Sequence, residues 1–266
     1  MAKELPKKAR VVIVGGGVIG CSIAYHLTKI GWSDVVLLER KQLTSGTTWH
    51  AAGLIGQLRD SQNMTKLAKY TAELYLGLEE ETGQATGYKI NGSLSVATNQ
   101  GRLEDLIRRA DMAKVFDLKV DVLGPEGCKD HYPLMNSEDI VGGIFIPSDG
   151  QANPIDITQA LAKGARNGGA QIFENTLVTK VNHSGGKITG VETENGSIEA
   201  DYVVLCCGMW TRDFAAQLGV TVPLHACEHF YIVTEPFEGI TSDMPVFRDY
   251  DACAYYKEDA GKLLLG

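Results

Sequence analysis

Arg10-Val-Val-Ile-Val-Gly-Gly-Gly-Val-Ile-Gly20 is the stretch that decides the fold. Residues 10–14 read as a strand, and the last four are β-branched without a break, as in a strand buried on both faces. Three glycines follow, and residues 18–30 carry helical spacing up to Gly31. Residues 35–39 form a second apolar strand. Strand, glycine turn, helix and strand make a βαβ unit with a parallel pair. Within it, Gly15-x-Gly17-x-x-Gly20 spans the turn, and Glu39 stands 19 positions beyond Gly20 at the end of the second strand. That context is what a dinucleotide fingerprint requires. The glycines let backbone approach a pyrophosphate at the helix N-terminus, where free N–H groups and the dipole favour anions. Glu39 is placed to accept hydrogen bonds from the adenosine ribose.

Further along, residues 63–82 show the clearest helical period, with Met64, Leu67, Ala68, Thr71, Leu74, Tyr75 and Leu78 at three- and four-residue steps. Residues 102–115 and Pro154–Asn167 are two more amphipathic helices. Residues 170–174, 177–183, 187–194 and 197–206 read as strands in quick succession, the last three as a β-meander. A short helix at 210–218 and a long strand at 224–234 follow. Asn91-Gly92, Gly185-Gly186 and Asn195-Gly196 read as hairpin turns. A nicotinamide enzyme continues with further βα units; this interrupted layout suits FAD, and the acidic Glu39 disfavours a 2′-phosphate. The expected fold is α/β: a Rossmann-like FAD-binding domain from residues 1–85 and 145–220, interleaved with an α+β substrate domain from 86–144 and 221–266. Residues 262–266 stop within what reads as a strand, the pattern of an N-terminal fragment.

Charge and composition narrow the partners. The 266 residues carry 25 Lys+Arg against 33 Asp+Glu, a net charge of −8 with no basic run, which argues against a nucleic-acid partner. The longest apolar stretches, such as 202–207, are far too short to span a bilayer. The basic N-terminus leads into glycines without a small-residue cleavage site, a poor signal peptide. Six cysteines form no Cys-x-x-Cys pair and read as reduced packing residues of a cytoplasmic protein. His26, His131, His183 and His225 have no metal-ligand spacing.

The segment Glu39-Arg-Lys-Gln-Leu-Thr-Ser-Gly-Thr-Thr-Trp-His-Ala-Ala-Gly-Leu54 resembles the dimethylglycine and sarcosine dehydrogenases, flavoproteins of the D-amino-acid-oxidase superfamily. Leu78-Glu-Glu-Glu-Thr-Gly83, Pro147-Ser-Asp-Gly-Gln151, residues 158–166, Gly208-Met-Trp-Thr-Arg212, Glu228-His-Phe-Tyr231 and Ala254-Tyr-Tyr256 extend the likeness along nearly the whole chain. The resemblance implies FAD joined covalently at His50, through a ring nitrogen to the 8α carbon of the isoalloxazine. It also implies cofactor contacts from Val18, Ile19, Arg40, Thr47, Thr48, Leu54, Val178 and Gly208, beside Gly15, Gly17, Gly20 and Glu39. His229 and Tyr255 are implied on the substrate side of the flavin, accepting a hydrogen bond or proton from the substrate ammonium. On the predicted strand, His229 and Tyr231 face the same way. The small pair that usually precedes Gly208 is Cys206-Cys207 here, a mild departure that leaves the turn intact.

The activity implied is oxidative demethylation of dimethylglycine, sarcosine or a similar N-methylated amino acid. Electrons pass to an acceptor flavoprotein or oxygen, and tetrahydrofolate is a possible ligand of a domain outside this chain. In a eukaryote the compartment becomes the mitochondrial matrix. An Arg should hold the substrate carboxylate, and Arg59 and Arg248 are candidates without a motif. Two alternatives remain open: a noncovalent-FAD glycine or D-amino-acid oxidase, and a non-catalytic relative like the regulatory subunit of pyruvate dehydrogenase phosphatase.

Overall fold

In the computed structural model, which describes residues 4–266, the chain divides into two compact units. The first takes the chain up to Ala51, then Gly77–Thr86 and Pro154–Cys227; the second takes Ala52–Leu76, Gly87–Asn153 and Glu228–Gly266. Residues 52–76, which sequence pattern alone groups with the first unit, lie in the second.

The first unit is built on a six-stranded sheet in the order Gln171–Phe173, Val35–Leu38, Lys8–Val14, Gly196–Leu205, Lys187–Thr193, Val178–Ser184. Its first four strands are parallel neighbours, with Val11 opposite Val35 on one side and Tyr202 on the other. All four residues of Val35–Leu38 are buried, as the uninterrupted apolar run requires. The last three strands form the expected antiparallel meander; Gly185-Gly186 closes its first hairpin, while the second turns one residue earlier than expected, at Glu194-Asn195, because Gly196 already pairs with Thr193. Val12, Val36, Val191 and Ile198 are each at most 1% exposed in its core, and each such side chain contributes about 1.5–3 kcal/mol of burial. The helices Val18–Lys29 and Pro154–Asn167 pack against each other, and Tyr25 of the first donates its hydroxyl to Glu81 at 2.8 Å.

A seven-stranded sheet organises the second unit, in the order Ile232–Val233, Lys262–Leu265, Ala254–Asp259, Val246–Asp249, Ser93–Ala97, Gly142–Ile146, Asp121–Leu123. Only Val246–Asp249 and Ser93–Ala97 are parallel neighbours in it. Leu94, Val96, Cys128, Tyr132 and Phe247 fill the core between this sheet and the helix Pro125–His131. A two-stranded ribbon, Leu54–Ile55 against Gly150–Gln151, stands apart from it.

Three expectations need correction. The long strand at 224–234 reduces to Ile232–Val233, which pairs only with Lys262–Leu265 at the sheet edge; residues 225–233 are exposed, so no buried face exists to hold an extended register. Asn91-Gly92 does not turn a hairpin: it leads into Ser93–Ala97, whose neighbours are Val246–Asp249 and Gly142–Ile146. All six cysteines are free thiols, but only Cys21 and Cys128 are fully buried, while Cys227 and Cys253 are exposed rather than packed.

Candidate functional site

A cavity of about 680 Å³ opens in the first unit at the carboxyl ends of three neighbouring strands, marked by Val14, Leu38 and Leu205 on its wall. The glycine turn builds one side. Gly15 has φ +112°, and a Cβ there would fall 2.3 Å from the Cys206 carbonyl oxygen; one at Gly20 would fall 1.9 Å from the Gly15 carbonyl oxygen. These two glycines let strand and helix approach. Gly17 differs, because its Cβ would meet only Thr48 Oγ1, at 2.9 Å, and the position lines the cavity. The helix Val18–Lys29 starts there with no side-chain cap from Gly17, while Val18 N–H donates to Thr48 Oγ1 at 3.0 Å.

Glu39, 8% exposed, is fixed by two backbone donors, Gly16 N–H at 2.7 Å and Lys41 N–H at 2.9 Å. Each carboxylate oxygen keeps a second acceptor site for a ribose hydroxyl. Ile19, Arg40, Thr47, Thr48, Val178 and Gly208 also line the wall, with the Arg40 guanidinium 4.0 Å from the Trp210 ring centre. Burial pushes the Cys206 and Cys207 thiols up to about 11, so they stay protonated and unreactive near neutrality. A Cβ-free cradle, a helix start facing the cavity and an anchored carboxylate fit a dinucleotide such as FAD.

His50 ends the 3₁₀ turn Thr47–His50, between the wall residues Thr48 and Ala51, yet it is not itself on the wall. Its ring is exposed and engaged by its neighbour: Trp49 Nε1 donates to His50 Nε2 at 2.6 Å, with the rings edge to face at 5.1 Å. Leu54 lies in the other unit, on a second cavity.

That second cavity, of about 460 Å³, is lined by residues 52–54, 248–250 and 253–255. Tyr255 and Arg248 are directly opposed across the antiparallel pair Ala254–Asp259 and Val246–Asp249, so both side chains stand on one sheet face. His229 Nε2 lies 3.1 Å from the Tyr255 hydroxyl, and the two rings stack with 4° between their planes. The structure thus brings His229 and Tyr255 into contact, although His229 and Tyr231 sit on an exposed irregular segment instead of the expected strand. Burial, and then the nearby Tyr231, push the Tyr255 phenol above its ordinary value. It therefore stays protonated, a hydrogen-bonding group rather than a phenolate base.

One residue that the motifs did not single out is Asp149, 3% exposed. It accepts from Ser93 Oγ at 2.6 Å and from Gln57 N–H at 2.9 Å. Burial raises its pKa, opposed by those hydrogen bonds and by the charges of Arg248 and Arg59. Its place inside Pro147-Ser-Asp-Gly-Gln151 was the available signal. No His, Cys, Asp or Glu cluster able to hold a metal exists among the described residues. None of their helices is long and apolar enough to cross a membrane.

Comparison with known proteins agrees with this geometry. The model of the FAD dependent oxidoreductase (DAO) family matches residues 10–266. A 4-methylaminobutanoate oxidase (formaldehyde-forming) of Paenarthrobacter nicotinovorans is 44% identical over 98% of this chain and 32% of its own length. The mitochondrial sarcosine dehydrogenase of Homo sapiens is 42% identical over 100% of this chain and 29% of its own. The mitochondrial pyruvate dehydrogenase phosphatase regulatory subunit of Mus musculus is 40% identical over 98% and 30%. This chain therefore spans about a third of the length of these relatives. Among solved structures, L-proline dehydrogenase from P. horikoshii superimposes with a TM-score of 0.87 at 26% identity, covering 98% of this chain and 70% of that one. With the dinucleotide cavity and these matches together, the chain belongs to the FAD-dependent oxidoreductase family of D-amino-acid-oxidase type.

Proposed function

We propose that this chain carries the FAD site and part of the substrate site of an enzyme that demethylates an N-methylated amino acid such as sarcosine, dimethylglycine or 4-methylaminobutanoate. The carrying observation is that the oxidase and dehydrogenase relatives at 42–44% identity both bear names of N-methylated amino acids. The first unit is the cofactor-binding domain, and the second is the substrate domain. Gly15, Gly17 and Gly20 admit the pyrophosphate to the start of Val18–Lys29, and Glu39 holds the adenosine ribose. FAD, when bound, supplies two-electron acceptance; its covalent attachment at His50 is part of this reading.

The chain's own groups prepare the amine. A substrate ammonium N–H donates to the Tyr255 oxygen, whose hydroxyl donates onward to His229 Nε2 at the 3.1 Å separation seen here. Since the phenol stays protonated, the proton's destination in this reading is the imidazole that the Tyr255 hydroxyl contacts. The amine so made neutral is oxidised at its methyl carbon to an iminium. Water then converts the iminium to formaldehyde and the demethylated amino acid, or tetrahydrofolate held elsewhere in the full protein takes the carbon. Electrons leave to a second flavoprotein or to oxygen, in the cytoplasm or the mitochondrial matrix.

The 40% identity to a regulatory subunit sustains a second reading, in which the fold and cavity persist without turnover. One anaerobic experiment on the full-length protein separates them. Sarcosine, dimethylglycine and 4-methylaminobutanoate are added in turn, and bleaching of the flavin absorbance is followed. Bleaching by one of them supports the enzyme; a flavin-bearing protein that none of them bleaches supports the regulatory relative.

A further inference from the structure

Tyr255 stands in the middle of a cross-strand row. The register that sets Arg248 opposite it on one side sets Gly266 opposite it on the other: Tyr256 pairs with Leu265, and Tyr255 and Gly266 exchange both backbone hydrogen bonds, at 2.8 and 3.1 Å. Directly opposed residues send their side chains to one sheet face, so the face that carries the Tyr255 ring has an empty place beside it. The ring fills that place. A Cβ on Gly266 would fall 2.5 Å from the Tyr255 hydroxyl oxygen, 2.6 Å from its Cζ and 3.0 Å from the Phe230 carbonyl oxygen. Backbone geometry does not ask for glycine here, because Gly266 does not have a positive φ. What the position excludes is a side chain. Phe230 follows His229 in the chain, so the slot over Gly266 and the imidazole are two sides of one seat. The phenol lies over the glycine with its hydroxyl 3.1 Å from His229 Nε2 and its ring within 4° of parallel to the imidazole.

We propose that Gly266 is a positioning residue: by having no side chain, it seats the Tyr255 phenol so that the hydroxyl meets His229. The proposal rests on the demethylation reading for the use of that contact, in which the pair receives the substrate ammonium. When an added atom overfills a packed site, the softest neighbour yields. At Gly20 the nearest obstacle is a backbone carbonyl, whereas at Gly266 the two nearest atoms are the far end of a side chain that turns freely about its own bonds. A methyl on residue 266 therefore displaces the phenol and leaves the pairing of Lys262–Leu265 with Ala254–Asp259 in place. Restoring ordinary contact, 3.4 Å or more, moves the hydroxyl by about 1 Å. A hydrogen bond of 3.1 Å does not survive a shift of that size. Gly266 thus acts through Tyr255, and only through it.

The test uses the full-length holoprotein with 3-fluorotyrosine placed at position 255 alone, whose ¹⁹F signal reports the surroundings of the phenol without any turnover. Gly266→Ala shifts that signal, and so does His229→Gln. Unlabelled protein is then reduced anaerobically by whichever of sarcosine, dimethylglycine and 4-methylaminobutanoate bleaches the flavin. The limiting rate falls about tenfold or more in Gly266→Ala, while Tm falls by about 2 °C or less. A double-mutant cycle separates a seat for the phenol from a general packing role. In a Tyr255→Phe background, where the hydroxyl has already gone, Gly266→Ala costs less than about twofold further. An unchanged ¹⁹F signal in Gly266→Ala overturns the proposal, as does a tenfold loss that persists in the Tyr255→Phe background. Failure of Gly266→Ala to fold overturns it too, since backbone and not the phenol then gives way. A signal that shifts in a protein that none of the three amino acids bleaches, or in which Tyr255→Phe is reduced at the wild-type rate, leaves the seat standing and removes the amine-handling part of the demethylation reading instead.

Discussion

Replacing Gly17 and Gly20 separately by alanine should split cofactor binding from folding, although both belong to one motif. At Gly20 the new methyl lands 1.9 Å from the Gly15 carbonyl oxygen and 3.4 Å from Cys206 Cβ. The obstacle is backbone, so the helix must move off the strand. Alanine gains about 1 kcal/mol of helix propensity over glycine, but overpacking of this kind costs about 1–3 kcal/mol and more where backbone cannot yield. A net loss of about 1–2 kcal/mol lowers the apoprotein Tm by roughly 2–8 °C for a domain of this size. At Gly17 the methyl meets only Thr48 Oγ1, at 2.9 Å, and φ is −77°, which alanine tolerates. The threonine swings away, the fold loses about 0.5 kcal/mol or less, and the methyl now projects into the cavity wall. Losing the Val18–Thr48 bond and crowding the pyrophosphate path should weaken FAD by about 10–100-fold, or about 1.4 kcal/mol per decade. The assay is FAD titration and thermal unfolding of the full-length apoprotein, in a His50→Ala background that keeps binding reversible. An apoprotein Tm unchanged by Gly20→Ala, or an FAD affinity unchanged by Gly17→Ala, refutes the reasoning.

The proposed covalent attachment at His50 has a direct readout: after denaturation the wild-type band should fluoresce, and His50→Ala should give a dark band with free flavin in solution; a dark wild-type band refutes the attachment. Trp49→Phe removes the indole N–H that engages His50 Nε2, so the ring is no longer held in one orientation; a several-fold change in the rate of band appearance on adding FAD to apoprotein is expected, and an unchanged rate shows the contact to be idle. Glu39→Gln keeps an acceptor for Gly16 or Lys41 but not the charge, and should weaken FAD by about tenfold, read by the same titration. Asp149 has a folded pKa raised by burial, so folding favours its protonated form. Its contribution is fully present below the unfolded carboxylate range and is lost as pH rises through the folded value. Chemical unfolding between pH 4 and pH 7 should show that decline in wild type and a flatter curve in Asp149→Asn; parallel curves would contradict the assignment.

What could be read from the sequence was whatever depends on local order. Residues 10–39 announced their strand, turn, helix and strand because an unbroken β-branched run and three glycines leave the chain few options, and the meander at 178–205 was legible because two-residue turns, Gly185-Gly186 and Glu194-Asn195, separate its strands. The seven-stranded sheet was not. Ser93–Ala97 is buried at all five positions with alternating serine, and its partners come from residues 142–146 and 246–249, too far along the chain for any periodicity to point to them. The mistaken strand at 224–234 shows the converse: β-favouring residues without a neighbour on either side stay irregular, because pairing, not propensity, makes a strand.

The same distinction governs the site. The cradle of the first cavity is contiguous in sequence apart from Glu39, Thr48 and the 205–208 turn, so a spacing rule finds it. The second cavity joins residues 52–54 to a hairpin about two hundred residues later, which no spacing rule connects. A sequence shows an arginine equally well whether a carboxylate answers it or not. Only the register sets Arg248 opposite Tyr255, and only the fold places Asp149 on hydrogen bonds from Ser93 and Gln57. For that reason the second cavity, not the dinucleotide motif, is where substrate selectivity should be sought, and swapping residues 248–255 between relatives of different substrate should shift KM without touching FAD affinity.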